Sequence, residues 1–481
     1  MIPTPEINLF SIAPMLFLSC AGILLLVMDL FIGKEKDNLA YVALLALGIA
    51  LILSFMRDAS QASYSFHDTF VVDRYAVFFD LIFCVASGLT VLISLQYVER
   101  ENLHLGEYYV LLLFGTVGMM MTAGAADMIM VFLGIETMSI CLYVLAGLNR
   151  RRLESSESAL KYFLLGAFAT GFLLYGISLI YGATGSTNFQ KIALALKDPA
   201  VAGSPLVLAG IGFLIIGLGF KVAAVPFHQW TPDVYEGAPT SVTAFMAVGP
   251  KAAGFAALFR IMLVPLGGLG EEWKPLLWVI AVLTMTVGNL AALMQDNIKR
   301  MLAFSGVAHA GYILVALIAG TPMGNSSILY YLLAYAFMNI GAFGVVVLLS
   351  QKGDAYLKVD DYAGLGFTRP GVAFAMGVFM FSMAGIPPLA GFVGKFYVFS
   401  AAVEAGYIWL AIIGVINSVI SVYYYLRVTV VMYMKDPARD FRGLAFHHLP
   451  LFALIVSVIA TFYMGIFPAS LMDLARHASV F

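Results

Sequence analysis

Cysteine is nearly absent. Only Cys20, Cys84 and Cys141 occur in 481 residues, each inside an apolar run and none in a C-x-x-C pair. Three scattered thiols cannot assemble an iron–sulfur cluster or a dithiol redox centre. No strict G-x-G-x-x-G and no G-x-x-x-x-G-K-[ST] occurs either, so the two familiar glycine-rich phosphate cradles are missing. A flavin, a nucleotide or a cluster held by this chain is therefore not expected. Charge is scarce as well, at 11% of residues with a net −2, which excludes nucleic-acid binding driven by phosphate attraction. The N-terminal "MIPTPEINLF" has no basic stretch ahead of its apolar run, so the first helix is read as retained and not as a cleaved signal.

Apolar length is what the chain has in quantity. Hydrophobic residues make up 62% of it, more than soluble domains carry. Runs able to cross a bilayer core of about 30 Å, roughly 20 residues each, are predicted at 9–32, 38–56, 75–97, 108–124, 127–148, 158–182, 205–227, 240–264, 275–295, 300–320, 326–350, 371–403, 406–433 and 448–472. The expected fold is an all-α integral membrane protein of about fourteen transmembrane helices. Residues 1–481 form a single polytopic domain: N-terminal helices to 107, five-helix blocks at 108–264 and 275–433, and a C-terminal helix in 434–481. Basic loop residues set the orientation. Of the 26 Lys and Arg, fourteen, among them Lys34, Lys36, Lys299 and Arg300, fall on one face. Seven, including Arg57 and Arg260, fall on the other. The richer face is taken as cytoplasmic, and an even helix count then puts both termini outside. Asp29 and Asp80 are read as interfacial.

Five basic residues remain, and they lie within apolar spans: Lys161, Lys221, Lys251, Lys395 and Arg427. A lysine at the centre of a membrane helix costs at least about 2.5–3.5 kcal/mol. Lys251, in "TSVTAFMAVGPKAAGFAALFR", is central, and so is Glu136, in "MIMVFLGIETMSICLYVL". One such pair could simply fix helix packing. Three lysines and a glutamate on four helices point instead to a proton relay, because a buried amine can gain and release a proton as a carboxylate approaches or withdraws. Arginine never releases its proton, and Arg427 lies near a helix end where it can snorkel. His309, mid-span in "RMLAFSGVAHAGYILVAL" beside Ser305 and Tyr312, and His228, just past Pro226, are candidate stepping stones. Neither has a second metal ligand three or four residues away. Lys161 shares a helix face with Glu157 four residues earlier, as an interfacial ion pair or a charge-coupling element.

Two stretches, "GFKVAAVPFHQW" and "AGIPPLAGFVGKF", combine glycine, proline and lysine within apolar helices. Proline removes a backbone donor and frees carbonyls, and such breaks survive at membrane depth only where protein or water covers them. They occupy corresponding positions in the two five-helix blocks, a placement characteristic of inverted-repeat transporters. On these stretches, with "FLGIETMSICLYVL" and "NIKRMLAFSGVAHAGYILVAL", nearly the whole chain resembles the antiporter-like membrane subunits of respiratory complex I, the NADH–quinone oxidoreductase. The lysine at 395, and the expected lack of a long lateral helix, set it apart from subunits M and L of that complex. The resemblance implies two inverted repeats, each with a broken helix. It implies a proton pathway through Glu136, Lys221, Lys251, His309 and Lys395, with Lys161 matching a further family lysine and Glu157 fitting the pattern before it. It also implies that FMN, iron–sulfur clusters and quinone belong to other subunits. The partners it implies are neighbouring antiporter-like and small membrane subunits in a bacterial inner membrane. The rival reading is a subunit of a multisubunit Na+/H+ antiporter.

Overall fold

The structure, a computed structural model, describes residues 8–32, 37–103 and 106–479; Lys34 and Lys36 lie outside them. The chain opens with α1 (Ala13–Phe31) and α2 (Asp37–Met56), then a small hairpin, β1 (Ser63–Ser65) paired antiparallel with β2 (Phe70–Val72), then α3 (Arg74–Arg100). The first block holds α4 (Glu107–Ala123), α5 (Met128–Ala146) and α6 (Leu153–Thr184). Two short helices follow, α7 (Phe189–Ala195) and α8 (Pro199–Ala202), ahead of the broken pair α9 (Pro205–Val222) and α10 (Trp230–Gly237) and then α11 (Thr240–Leu263). The second block holds α12 (Gly270–Leu293), α13 (Ile298–Ala319), α14 (Pro322–Leu349) and a single turn, α15 (Leu365–Thr368). It ends with the broken pair α16 (Pro370–Ala384) and α17 (Ala390–Glu404), then α18 (Ile408–Met434). Last come α19 (His448–Ile466) and α20 (Pro468–Ala478).

Among the described residues, twelve helices are long and apolar enough to cross a membrane, and α4 and α16 are shorter apolar helices. The protein is therefore an all-α, multi-pass membrane protein. The innermost helices are α11, α13 and α14, almost wholly buried, whereas α1, α2, α6, α18 and α19 expose broad apolar faces. Side-chain caps mark several helix starts: Asp127 accepts from the Ile129 N–H, and Asn297 from those of Lys299 and Arg300, satisfying donors that a helix leaves orphaned.

The structure refines several sequence expectations. The break expected within the run 371–403 divides it into two half-helices, parted at Gly385, whose φ of +90° is one that side-chain-bearing residues avoid. The segment 434–481 carries two helices, not one. Arg57, Arg260 and Lys299, counted among the loop and helix-end charges, are buried. Asp80, near the start of α3, is buried in an ion pair with Arg57.

Candidate functional site

At the first break, α9 ends at Ala223, which takes a left-handed φ of +60°. The freed backbone is covered by protein: the Phe220 carbonyl accepts from Trp230 Nε1 at 3.1 Å, and the Val225 N–H donates to Thr284 Oγ1 at 2.9 Å. Lys221 lies in the last turn of α9, 4% exposed, and its Nζ donates to Ser139 Oγ on α5 at 2.8 Å. Glu136, one turn before Ser139, accepts from Thr170 Oγ1 on α6 at 2.7 Å. Lys221 and Glu136 are thus not in ion-pair contact. Ser139 takes the ammonium and Thr170 the carboxylate.

Lys251 follows Pro250 inside α11. Pro250 cannot donate to the Met246 carbonyl four residues back, and the Tyr235 hydroxyl takes that carbonyl instead at 3.1 Å. The Tyr235 ring lies 5.7 Å from Lys251 Nζ. The ammonium is 3% exposed and has no hydrogen-bond partner. It points at Gly306 on α13, where a Cβ would come within 2.7 Å of Nζ and 2.9 Å of the Tyr335 hydroxyl. A side chain there would press on both tips, and the ammonium and that phenol are at most 5.6 Å apart. Gly254, one turn beyond Lys251, lets α9 approach: a Cβ there would lie 3.3 Å from Lys221 Cβ.

His309 is 2% exposed and sits among phenols. Nδ1 is 2.7 Å from the Tyr331 hydroxyl and Nε2 is 3.1 Å from that of Tyr425, which in turn contacts Ser305 Oγ. The rings of Tyr335 and Tyr312 lie 5.0 and 5.7 Å from the imidazole. Tyr312 continues the line, since its ring is 4.9 Å from Lys395 Nζ. Lys395 donates to the Met383 and Ala384 carbonyls at 2.9 and 3.1 Å and to Ser418 Oγ at 2.9 Å. It is therefore held by the carbonyls that the second break sets free. A cavity of about 740 Å³ adjoins it, walled by apolar residues of α17 and α18 including Phe396, Phe399 and Val415.

Lys161 pairs with Glu157 at 2.7 Å, as its spacing predicts, and also with Asp233 on α10 at 2.9 Å. Arg300 pairs with Asp233 at 3.0 Å and Glu236 at 2.7 Å. These groups line a polar cavity of about 250 Å³. For Asp233, burial works to raise the pKa, but the Lys161 and Arg300 bonds outweigh it and hold the carboxyl below its ordinary value. Aromatic rings connect this cluster to Lys221: Tyr162 stacks on Trp230 at 4.6 Å, and Phe220 and Tyr143 lie 5.8 and 5.9 Å from Lys221 Nζ. His228 lies between the half-helices, its ring 6.4 Å from Phe304 of α13.

Sequence reasoning missed Ser139, Thr170, Asp233, Tyr331, Tyr335 and Tyr425. Only the i, i+4 spacing of Tyr331 and Tyr335 hinted at a shared face. Among the described residues no group of three or more His, Cys, Asp or Glu side chains could hold a metal ion.

Residues 125–421 match the family described as NADH:quinone oxidoreductase/Mrp antiporter, TM. The chain belongs to that family. It is 53% identical, over 98% of its length and 97% of the relative's, to a Trichlorobacter lovleyi protein named NADH-quinone oxidoreductase subunit N. A protein of the same name from Paramagnetospirillum magneticum is 44% identical over 98% of each chain. Among solved structures, a chain of respiratory complex I from Thermus thermophilus superposes with a TM-score of 0.81 at 32% identity, covering 96% of this chain and 99% of that one. A chain of the Mrp complex from Dietzia shares the fold with a TM-score of 0.85 at 21% identity, covering 98% and 97%.

Proposed function

We propose that this chain is subunit N of a proton-translocating NADH:quinone oxidoreductase in a bacterial inner membrane. Its partners are the neighbouring antiporter-like and small membrane subunits, and FMN, the iron–sulfur clusters and quinone reside elsewhere in the assembly. Blocks 108–264 and 275–433 act as inverted repeats, each supplying a half-channel. One runs from the cytoplasmic face, past Lys161, Glu157 and His228, to Lys221 and Glu136. Lys251 and His309 carry the proton in the membrane plane to Lys395, which delivers it to the other side. The termini face that other side.

One observation carries this reading. Among the described residues, Lys221, Lys251 and Lys395 are buried, yet none lies within ion-pair distance of a carboxylate. Each faces a hydroxyl, a carbonyl or an aromatic ring instead. Static packing charges are paired, because an unpaired charge at that depth is costly. An amine that must change protonation state gains from partners that tolerate both forms. The family description covers the rival reading, a subunit of a Na+/H+ antiporter, as well, but the Mrp chain is 21% identical, whereas the subunit N relatives match at 53 and 44% over nearly the full chain.

The test is Lys251→Met in the intact complex, followed as proton uptake into inverted membrane vesicles per NADH oxidised, with assembly checked on native gels. Uptake should fall several-fold. A parental ratio in assembled complex sinks the relay. Reporter fusions at Arg151 and Ala438 should report cytoplasm and one after Phe481 the outside; a cytoplasmic C-terminus would reverse the half-channels.

A further inference from the structure

The loop after α14, "SQKGDAYLK", carries an aspartate where a solvated linker charge is the ordinary outcome. Asp354 is instead buried, with no exposed side-chain surface, in a backbone of φ +52°. Its Oδ1 accepts from Thr240 Oγ1 at 2.9 Å. Its Oδ2 accepts from the Tyr97 hydroxyl at 3.0 Å and Arg152 Nη1 at 2.7 Å, and lies 3.5 Å from Lys299 Nζ. Lys299, equally buried, also donates to the Ala238 carbonyl at 2.7 Å. The loop is fastened from α3, where Glu101 accepts from the Gly353 N–H at 3.0 Å and Arg100 donates to the Val347 carbonyl at 3.0 Å.

The four donors start or end four different elements. Thr240 is the first residue of α11, Lys299 the second of α13, Arg152 the residue before α6, and Tyr97 lies in the last turn of α3. Ala238, one bond further, caps the end of α10. One carboxylate thus ties together the first turns of the two helices that carry Lys251 and His309. Each residue of axial slip moves a helix by about 1.5 Å, and in the present register Lys251 Nζ lies over Gly306, which has no side chain to displace it.

We propose that Asp354 is a positioning residue for the relay: through Thr240 and Lys299 it fixes the register of α11 against α13 that presents Lys251 to Gly306 and Tyr335. The proposal rests on the relay reading above. Asp354 touches none of the relay side chains; it acts through helix starts, so its loss is felt as misregistration and not as a missing proton carrier.

Four variants test it in the intact complex. Asp354→Asn leaves Arg152 and Lys299 without their carboxylate and can fail to assemble. Lys299→Met leaves one cation facing one carboxylate, so the cluster stays balanced while α13 is released. Thr240→Val keeps every charge and releases α11, and Thr240→Ser restores the hydroxyl. The readouts are assembly on native gels, proton uptake per NADH in inverted vesicles, and the pH profile of that uptake. The expected result is assembled Lys299→Met and Thr240→Val complexes with uptake per NADH lowered several-fold and a displaced pH profile, both restored in Thr240→Ser. Parental uptake and profile in Lys299→Met or Thr240→Val overturn the proposal and leave Asp354 a buried counter-charge. Lys251→Met separates the two levels. If it pumps normally, the relay reading is wrong; if it fails while the Lys299 and Thr240 variants pump normally, only the positioning role is wrong.

Discussion

In the first broken helix the lysine precedes the break, and in the second it follows. Lys221 belongs to the last turn of α9 itself, whereas Lys395 reaches back from α17 to the carbonyls that end α16. Both ammonium groups therefore sit at the carboxyl end of a half-helix, where unsatisfied carbonyls and the helix dipole favour positive charge. Their surroundings differ. Lys221 has Ser139 as partner and a carboxylate, Glu136, one turn further along the same helix. Lys395 has two carbonyls and Ser418, and opens onto an apolar cavity of about 740 Å³. The half-helix α10 is gripped by ion pairs from α6 and α13, while among the described residues α17 forms none. The same interruption of a helix thus gives one site tuned by side-chain charge and one tuned by backbone dipoles.

The largest effects are expected where the backbone alone supports the amine. Lys395→Met should lower proton uptake per NADH at least about tenfold in assembled complex, about 1.4 kcal/mol or more on the barrier. Lys395→Arg should be impaired nearly as much, although it keeps the charge, because guanidinium does not release a proton. Normal pumping in the arginine variant would make Lys395 a fixed charge and erase the contrast between the two breaks.

At the first break the carboxylate gives a second handle. Glu136→Gln keeps volume and can still meet Thr170, but removes the negative charge that favours protonated Lys221. Without ion-pair contact that interaction is on the order of 1 kcal/mol, so uptake should fall roughly three- to tenfold, less than for Lys395→Met. A larger loss in Glu136→Gln than in Lys395→Met, compared in the same vesicle assay, would mean that the first site depends on charge more than its geometry suggests. Smaller again is Asp233→Asn. Its pairs are about two-fifths exposed, and exposed ion pairs contribute about 0–1 kcal/mol. Less than about a fivefold change in uptake is expected, and assembly should be unaffected.

The lysines, Glu136 and His309 were legible in the sequence because a charge or an imidazole in an apolar run stands out against its neighbours. The phenols were not. Tyr331, Tyr335 and Tyr425 are unexceptional in apolar helices, and only the packing of α13, α14 and α18 brings them to one imidazole. The break at 385–389 was visible in its prolines, yet its flanking residues are apolar, so a hydropathy run passed straight through it. Lys299 was misjudged, and Asp354 passed over, for the opposite reason. They lie in polar sequence, "QDNIKR" and "QKGDAY", where solvent exposure is the ordinary outcome, and only the fold turns both inward.

The smallest effect belongs to Arg427, the other basic residue within a late apolar span. Its Nη2 donates to the Gln295 carbonyl, and Nη1 lies 3.7 Å from Asp296, a side chain 90% exposed. These contacts tie α18 to the turn between α12 and α13 at the membrane edge, and a permanently protonated group can do no more than anchor or bias the field there. Arg427→Lys keeps the charge and can still reach one carbonyl, so the change should stay within about 0.5 kcal/mol, with uptake per NADH and assembly matching the parent. Set beside Lys395→Arg, this is the reciprocal exchange in the same block of the chain. Arginine should fail where the proton must leave, and lysine should serve where it need not. A pumping defect in assembled Arg427→Lys complex would place Arg427 among the groups that govern proton movement, and the division between anchoring and titrating cations would have to be redrawn.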